Sequence, residues 1–170
     1  DQEAMVNVPS PIKERFQRFQ IAYHVRLGKN YQHVLLTGFH IEEAVYAPLY
    51  YGYGGDGQYA DRIKNARRIE KRMLALAPDT VHVLLTCAPE VIRKRMKEVP
   101  HTNGLVQDKD VELVLRRFEE EYEASKIRNK FELDNTEKTV EETLAEFVEQ
   151  VQPYLLERDR LRILTRNLPQ

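Results

Sequence analysis

Three short and almost wholly apolar segments constrain the fold of this chain most strongly. They are centred on Val34, Val83 and Leu133, and stretches with apolar residues at helical spacing lie between them. Strands that alternate with helices are typical of βαβ units, in which the strands run parallel. Strands without polar alternation need cover on both faces, so the pattern predicts a three-layer α/β domain with a parallel sheet between helices.

Local signals predict where several elements begin and end. Ser10, followed by proline, is expected to cap a first helix that ends near Gly28. The buried strand at residues 33–36 is expected next. A capping box that begins at Thr139 predicts the start of the last long helix, and residues 154–170 are expected to form a tail helix.

Composition narrows the classes of protein that this chain can belong to. With 170 residues and 42% apolar content, it suits one domain over residues 1–170. The 26 basic and 27 acidic side chains nearly balance, which argues against nucleic acid or a membrane as the main partner. A single cysteine, Cys87, excludes an internal disulfide and a multi-thiolate zinc site, and it favours a cytoplasmic location. No histidine spacing predicts a metal site built by the protein.

The segment at residues 37–48 reads Thr-Gly-Phe-His-Ile-Glu-Glu-Ala-Val-Tyr-Ala-Pro. It resembles a segment of the thymidylate kinase-like P-loop nucleotide kinases, in which a strand ends in Asp-Arg and is followed by x-His, a glutamate and Val-Tyr-x-Pro. Residues 88–95 are similar to the entry into that family's lid, with 98–108 as a lid-like connection. Residues 133–136 resemble its closing strand and loop. The resemblance covers nearly all of residues 5–152.

This resemblance implies a P-loop NTPase-like domain that transfers the γ-phosphoryl group of ATP to a nucleoside monophosphate. The acceptor would be a deoxynucleotide such as thymidylate, and Mg²⁺ would arrive with ATP. The family pattern places Arg95 where it would neutralise phosphate charge and Glu43 where it would position the acceptor. A homodimer is left open.

The residues that the resemblance assigns to the two nucleotides fall into two sets. Those for the acceptor are Phe39, His40, Tyr46 and Tyr50. Those for adenine follow the last strand and are Asp134, Asn135 and Thr136. Each set also has a structural interpretation: aromatic side chains pack against helices, and Asp, Asn and Thr favour turns because they bond the backbone.

Two departures from the family pattern affect the functional hypothesis. The sequence contains no G-x-x-x-x-G-K-[ST], the loop that cradles ATP phosphates, so we expect the strand-helix unit that carries it to lie outside these residues. The glycine-rich stretch at residues 52–57 is instead expected to be a surface loop or a substrate-side lid. Thr37-Gly38 stands in place of Asp-Arg, which removes a carboxylate and a cation.

These departures leave alternatives open. The chain could be a non-catalytic kinase-like module that binds a nucleotide or a protein, or a related P-loop transferase such as a nucleoside kinase. Alternatively, Glu42 or Glu43 supplies the carboxylate that Thr37 cannot. The basic residues at 67, 68, 71 and 72 are expected to form a solvated helix face.

Overall fold

The computed structural model of the chain describes residues 7–101 and 104–165. This part of the chain contains seven α-helices and two β-strands. The helices are α1 (Ser10–Asn30), α2 (His40–Tyr46), α3 (Arg62–Leu76), α4 (Pro89–Glu98), α5 (Val111–Glu123), α6 (Val140–Val151) and α7 (Glu157–Thr165). The strands are β1 (Val81–Thr86) and β2 (Asn129–Asp134). A π-helical turn, Ala47–Tyr51, continues α2, and 3₁₀ turns lie at Asp108–Asp110 and Gln152–Tyr154.

The two strands form a parallel sheet with helices on both faces. Val83 pairs with Phe131, and the ring of Phe131 lies 6.0 Å from that of Phe147 on α6. Neighbouring residues of a strand point to opposite faces. His82 therefore faces the other way, where its ring lies 5.0 Å from that of Tyr122 on α5. The predicted mixed α/β class with a parallel sheet is confirmed, in a sheet of two strands.

The predicted strand at residues 33–36 is wrong. These residues have no regular secondary structure, and Val34 and Leu35 are 42% and 83% exposed. An apolar run becomes a strand only where another strand accepts its hydrogen bonds, and in the described part of the chain β1 and β2 pair only with each other. Leu36 alone packs inward, against a cluster formed by α1, Phe39 and α3.

The first helix is confirmed, but the predicted cap at Ser10 is wrong and the helix ends two residues beyond Gly28. Pro9 occupies the N-cap position, and Ser10 lies inside the helix, where its hydroxyl donates a 2.8 Å hydrogen bond to the carbonyl oxygen of Tyr51. The helix passes through Gly28 and ends at Asn30. A residue caps a helix only when its side chain hydrogen-bonds a backbone N–H of the first turn, which Ser10 does not do. The prolines on either side of Ser10 restrict the backbone at the start of the helix instead.

The predicted capping box is confirmed: Thr139 and Glu142 form it at the start of α6. The predicted tail helix begins later than expected, because α7 starts at Glu157 and residues 154–156 are not α-helical. Residues 166–170 of the predicted tail lie outside the described residues. So do residues 102 and 103 of the predicted lid-like connection.

The core of the N-terminal half lies between α1, α2 and α3. Ile21, Val25, Phe39 and Ile69 form one buried cluster, and Val45 on α2 is fully buried. Helix α2 packs against both α3 and α5, so it connects this half to the sheet. Among the described helices, none is long and apolar enough to cross a bilayer.

Candidate functional site

Arg95 and Asn135 meet at the carboxyl end of the parallel sheet. The Arg95 guanidinium donates hydrogen bonds of 3.0 and 2.9 Å to the side-chain and backbone oxygens of Asn135. It also contacts the Cys87 sulfur at 3.4 Å, just beyond β1. We call these three residues the Arg95 junction. Ligands of open α/β sheets bind at this edge.

The turn after β2 is fixed by its own side chains. The Thr136 hydroxyl accepts a 2.8 Å hydrogen bond from the backbone N–H of Ala88, and the Asn135 N–H donates to the carbonyl of Thr86 at 3.0 Å. The Thr136 N–H and hydroxyl both donate to Asp134, which lowers the pKa of that carboxyl. Turn chemistry therefore explains Asp134 and Thr136, and it holds Asn135 against the Arg95 side chain.

Glu43 is a largely buried carboxylate with weak partners. Its Oε2 lies 3.5 Å from the Tyr53 hydroxyl and 3.6 Å from the Arg62 Nε. Burial raises the pKa of Glu43 to about 7, because Arg62 and Tyr53 offset only part of the desolvation. A carboxyl group that titrates near neutral pH can either donate or accept a proton, which is the property expected of an acid-base or ligand-binding residue.

His40 and Phe39 lie inside the protein. The His40 Nε2 lies 3.3 Å from the Glu70 Oε1, both side chains are almost fully buried, and Nδ1 has no hydrogen-bond partner in the described residues. Phe39 has a φ of 74°, and its ring meets that of His40 edge-on at 4.7 Å. A positive φ at a bulky residue is strained, so the surrounding core holds this turn in place.

Tyr46 and Tyr50 are anchored toward α5. The Tyr46 ring lies 5.5 Å from that of Phe118 and 5.9 Å from that of Tyr50. The Tyr50 hydroxyl donates to an Asp110 oxygen at 3.3 Å, and burial together with Asp110 raises the pKa of Tyr50 to about 12. Aromatic packing therefore accounts for part of the surface of both side chains.

A buried network around Glu70 is absent from the sequence prediction. Glu70 is fully buried and accepts hydrogen bonds from Arg67, from the Ser125 hydroxyl and from the Lys126 backbone N–H. Arg67 also contacts Glu121. The prediction of a solvated face is wrong for Arg67, whose side chain is only 16% exposed.

Sequence signals for this network do exist. Positions 62, 66, 69, 70 and 73 lie on one face of α3, and two of them are charged in a stripe that is otherwise apolar. A charged residue on an apolar helix face is buried with a partner or marks a function. Arg62 and Glu70 are those two residues.

The glycine-rich stretch is packed into the protein at Tyr53 and Gly54. Tyr53 is 3% exposed and Gly54 is buried, and the Arg62 N–H donates a 2.8 Å hydrogen bond to the Gly54 carbonyl. The prediction of a surface loop is therefore wrong for these two residues. The stretch places the Tyr53 hydroxyl beside Glu43 and Arg62.

Gly38 accommodates Glu42. The φ of Gly38 is 78°, and a Cβ atom there would lie 1.8 Å from the Glu42 Oε2. Burial raises the pKa of Glu42. The carboxylate of Glu42 thus occupies the space that a side chain at position 38 would need.

The predicted site residues form two groups. Glu43 and His40 join the buried charges of the N-terminal half, whereas Arg95 and residues 134–136 form the sheet-edge group. Across residues 7–101 and 104–165, no hydrogen bond or ion pair joins Glu43 to Arg95. The same residues contain no set of three histidine, cysteine or carboxylate side chains placed to hold a metal ion.

Comparison of the chain with protein-family models, with curated proteins and with solved structures finds no match.

Proposed function

We propose that the chain is a thymidylate kinase-like protein of the P-loop type that transfers the γ-phosphoryl group of Mg-ATP to a nucleoside monophosphate such as thymidylate. The observation that supports this most is the Arg95 junction. Two segments that resemble the family's lid entry and its adenine loop are 40 residues apart, yet their side chains bond each other at the carboxyl edge of a parallel sheet.

The residues of the junction fit the adenine end of ATP. A guanidinium plane stacks on aromatic rings, and an amide both donates and accepts hydrogen bonds. The phosphates and Mg²⁺ need backbone N–H groups and a lysine of a glycine-rich loop, and this sequence contains no such loop. ATP would supply the phosphoryl group, and Asn135 would hold its base. The guanidinium of Arg95, held by Asn135, would be placed between the base and the phosphates, whose charge it would neutralise.

Glu43 is assigned to the acceptor. It stands near the start of α2, beyond the turn at Gly38 and Phe39, with a pKa of about 7. Its carboxyl group would orient the acceptor by accepting a hydrogen bond when ionised and by donating one when protonated. Tyr46, one turn later on α2, would contact the base with the part of its ring that Phe118 leaves free.

A second candidate is a non-catalytic module that binds a nucleotide. It is favoured by Gly38, because Glu42 fills the space that the family's arginine would need. That module would keep the Arg95 junction and lack the cation that grips the acceptor phosphate.

Nucleotide binding and turnover together test the proposal. We expect ATP to raise the melting temperature of the protein, and Arg95→Gln to abolish the rise, while the matched change Lys97→Gln on the exposed side of α4 leaves it intact. ADP formed from ATP only when thymidylate is present supports the kinase. Binding without ADP formation supports the non-catalytic module, and a melting temperature that ATP does not change contradicts both.

A further inference from the structure

A cleft of about 470 Å³ lies between α1, the start of α3 and the loop before it. Its lining includes one exposed aromatic ring, four cations and two carboxylates, namely Tyr59, Arg18, Arg62, Lys64, Arg68, Glu14 and Asp61. None of the residues of the Arg95 junction lines it. The cleft is therefore separate from the proposed nucleotide junction.

The cationic side chains that line the cleft outnumber its carboxylates. The Arg18 Nε and the Arg62 Nη2 both lie 3.5 Å from the same oxygen of Glu14. Strong ion pairs of this kind have distances of about 2.7–2.9 Å, so one oxygen serves two guanidinium groups weakly. Arg68 donates to the neutral amide oxygen of Asn65 at 2.7 Å, and no carboxylate in the described residues pairs with it.

Lys64 is different, because it is neutralised locally. Its Nζ lies 3.0 Å from Asp61, the residue that caps α3, and 3.5 Å from Asp56. The cations that remain available are therefore Arg18 and Arg68, which belong to two facing helices. A bidentate oxyanion is the group that two guanidiniums on opposite walls bind best.

Arg62 gives the cleft a buried polar wall. Its side chain is 3% exposed, and its Nε, which lies 3.6 Å from the Glu43 carboxylate, forms no hydrogen bond with the described residues. A guanidinium has five donors and no acceptor, and buried donors in folded proteins are normally paired. The Tyr59 ring, 60% exposed, adds a flat apolar surface to the same cleft.

We propose that this cleft binds a small phosphate monoester that carries an aromatic ring, with the phosphate between Arg18 and Arg68 and the ring against Tyr59. The site contains no residue of the Arg95 junction, and its Arg62 lies 3.6 Å from Glu43, the residue assigned to the acceptor. Its ligand is defined by chemistry alone: a dianion for two arginines and a planar ring for one tyrosine.

Titration calorimetry with phenyl phosphate and with inorganic phosphate tests the site on the full chain. We expect phenyl phosphate to bind with a dissociation constant near or below about 1 mM and more tightly than inorganic phosphate. Arg18→Gln and Arg68→Gln should each weaken phenyl phosphate about tenfold, because each removes a charged hydrogen-bond donor. Arg72 is an exposed arginine of α3, the helix of Arg68, and it lies outside the cleft, so Arg72→Gln should leave binding unchanged.

The melting temperature of each variant shows whether the fold is intact, and both arginine side chains are at the surface, so we expect it to be unchanged. Absence of phenyl phosphate binding, or equal loss in Arg72→Gln, would overturn the proposal. Equal affinity for phenyl phosphate and inorganic phosphate would contradict the proposed contact between the ligand's ring and Tyr59.

Discussion

Glu70 and Glu43 are both carboxylates withdrawn from water beside an arginine, yet their pKa values move in opposite directions. Burial alone would raise the pKa of Glu70, but His40, the Lys126 N–H, Ser125 and Arg67 together lower it to about 2. Burial raises the pKa of Glu43 to about 7, since its contacts with Arg62 and Tyr53 are 3.5 Å or longer.

The difference lies in the number and distance of the donors. Three groups donate to Glu70 at 2.7–3.0 Å, so its charge is compensated where it is buried. Glu43 is buried without equal compensation. A compensated carboxylate holds a fold together, whereas an uncompensated one retains the capacity to bind a proton or a ligand. Two glutamates of one half of the molecule therefore serve different purposes.

The largest expected effect comes from removing the compensated carboxylate. Glu70→Ala should lower the free energy of unfolding by about 3–5 kcal/mol, because Ser125, the Lys126 N–H and His40 lose their common acceptor in a buried site. Urea unfolding at pH 7 measures this. Glu119→Ala, an exposed glutamate of α5, should change stability by no more than about 0.5 kcal/mol, and similar losses in both variants would contradict the comparison.

The pH dependence of this contribution has a definite sign. The pKa of Glu70 is lowered in the folded state, so its stabilisation is fully present above the ordinary value of 4.5. It is lost as the pH falls through about 2. The Glu70→Ala variant should therefore lack this pH-dependent part of the unfolding free energy.

The effect of Glu43→Gln on the unfolding free energy should depend on pH in the opposite sense and should be somewhat smaller than that of Glu70→Ala. The folded-state pKa is raised, so the stabilisation is present below 4.5 and is lost as the pH rises through about 7. The difference in unfolding free energy between the unmodified protein and Glu43→Gln should change by up to about 3 kcal/mol over that range. Urea unfolding at pH 5 and pH 8 measures it. Parallel curves for the two proteins would show that Glu43 is compensated after all.

The smallest expected effect comes from removing a single hydroxyl group, that of Tyr53. Tyr53→Phe removes one of the contacts that lower the pKa of Glu43, so that pKa should rise above about 7. Stability should change by about 1 kcal/mol or less, since the bond is long. Carboxyl titration by NMR measures the pKa, and Tyr23→Phe on exposed α1 surface is the control. An unchanged pKa would mean that Arg62 alone offsets the burial.

Local signals predicted the part of the fold that depends on local chemistry. The capping box at Thr139 determines where α6 begins, and β1 and β2 follow from their apolar runs. The run at residues 33–36 has the same composition as a strand and fails because pairing depends on a partner that no local pattern specifies. The residue pattern within one segment therefore predicts a helix or strand better than it predicts which other element that segment pairs with.

The candidate site divides in the same way. Parallel strands place their carboxyl ends at one edge, so a site containing Arg95 and Asn135 could be predicted before their bond was seen. The environment of Glu43 could not, because Tyr53 and Arg62 reach it through a packed turn in the glycine-rich stretch. The pKa of a carboxyl group depends on such three-dimensional neighbours.

The space beside Gly38 has a consequence for how this sequence can evolve. A residue other than glycine would meet Glu42 at 1.8 Å and would also adopt a positive φ. Arginine cannot enter position 38 in one mutational step while Glu42 keeps its conformation. A side chain at position 38 therefore requires either another rotamer of Glu42 or a smaller residue at position 42. The side chains that the two positions can carry depend on each other.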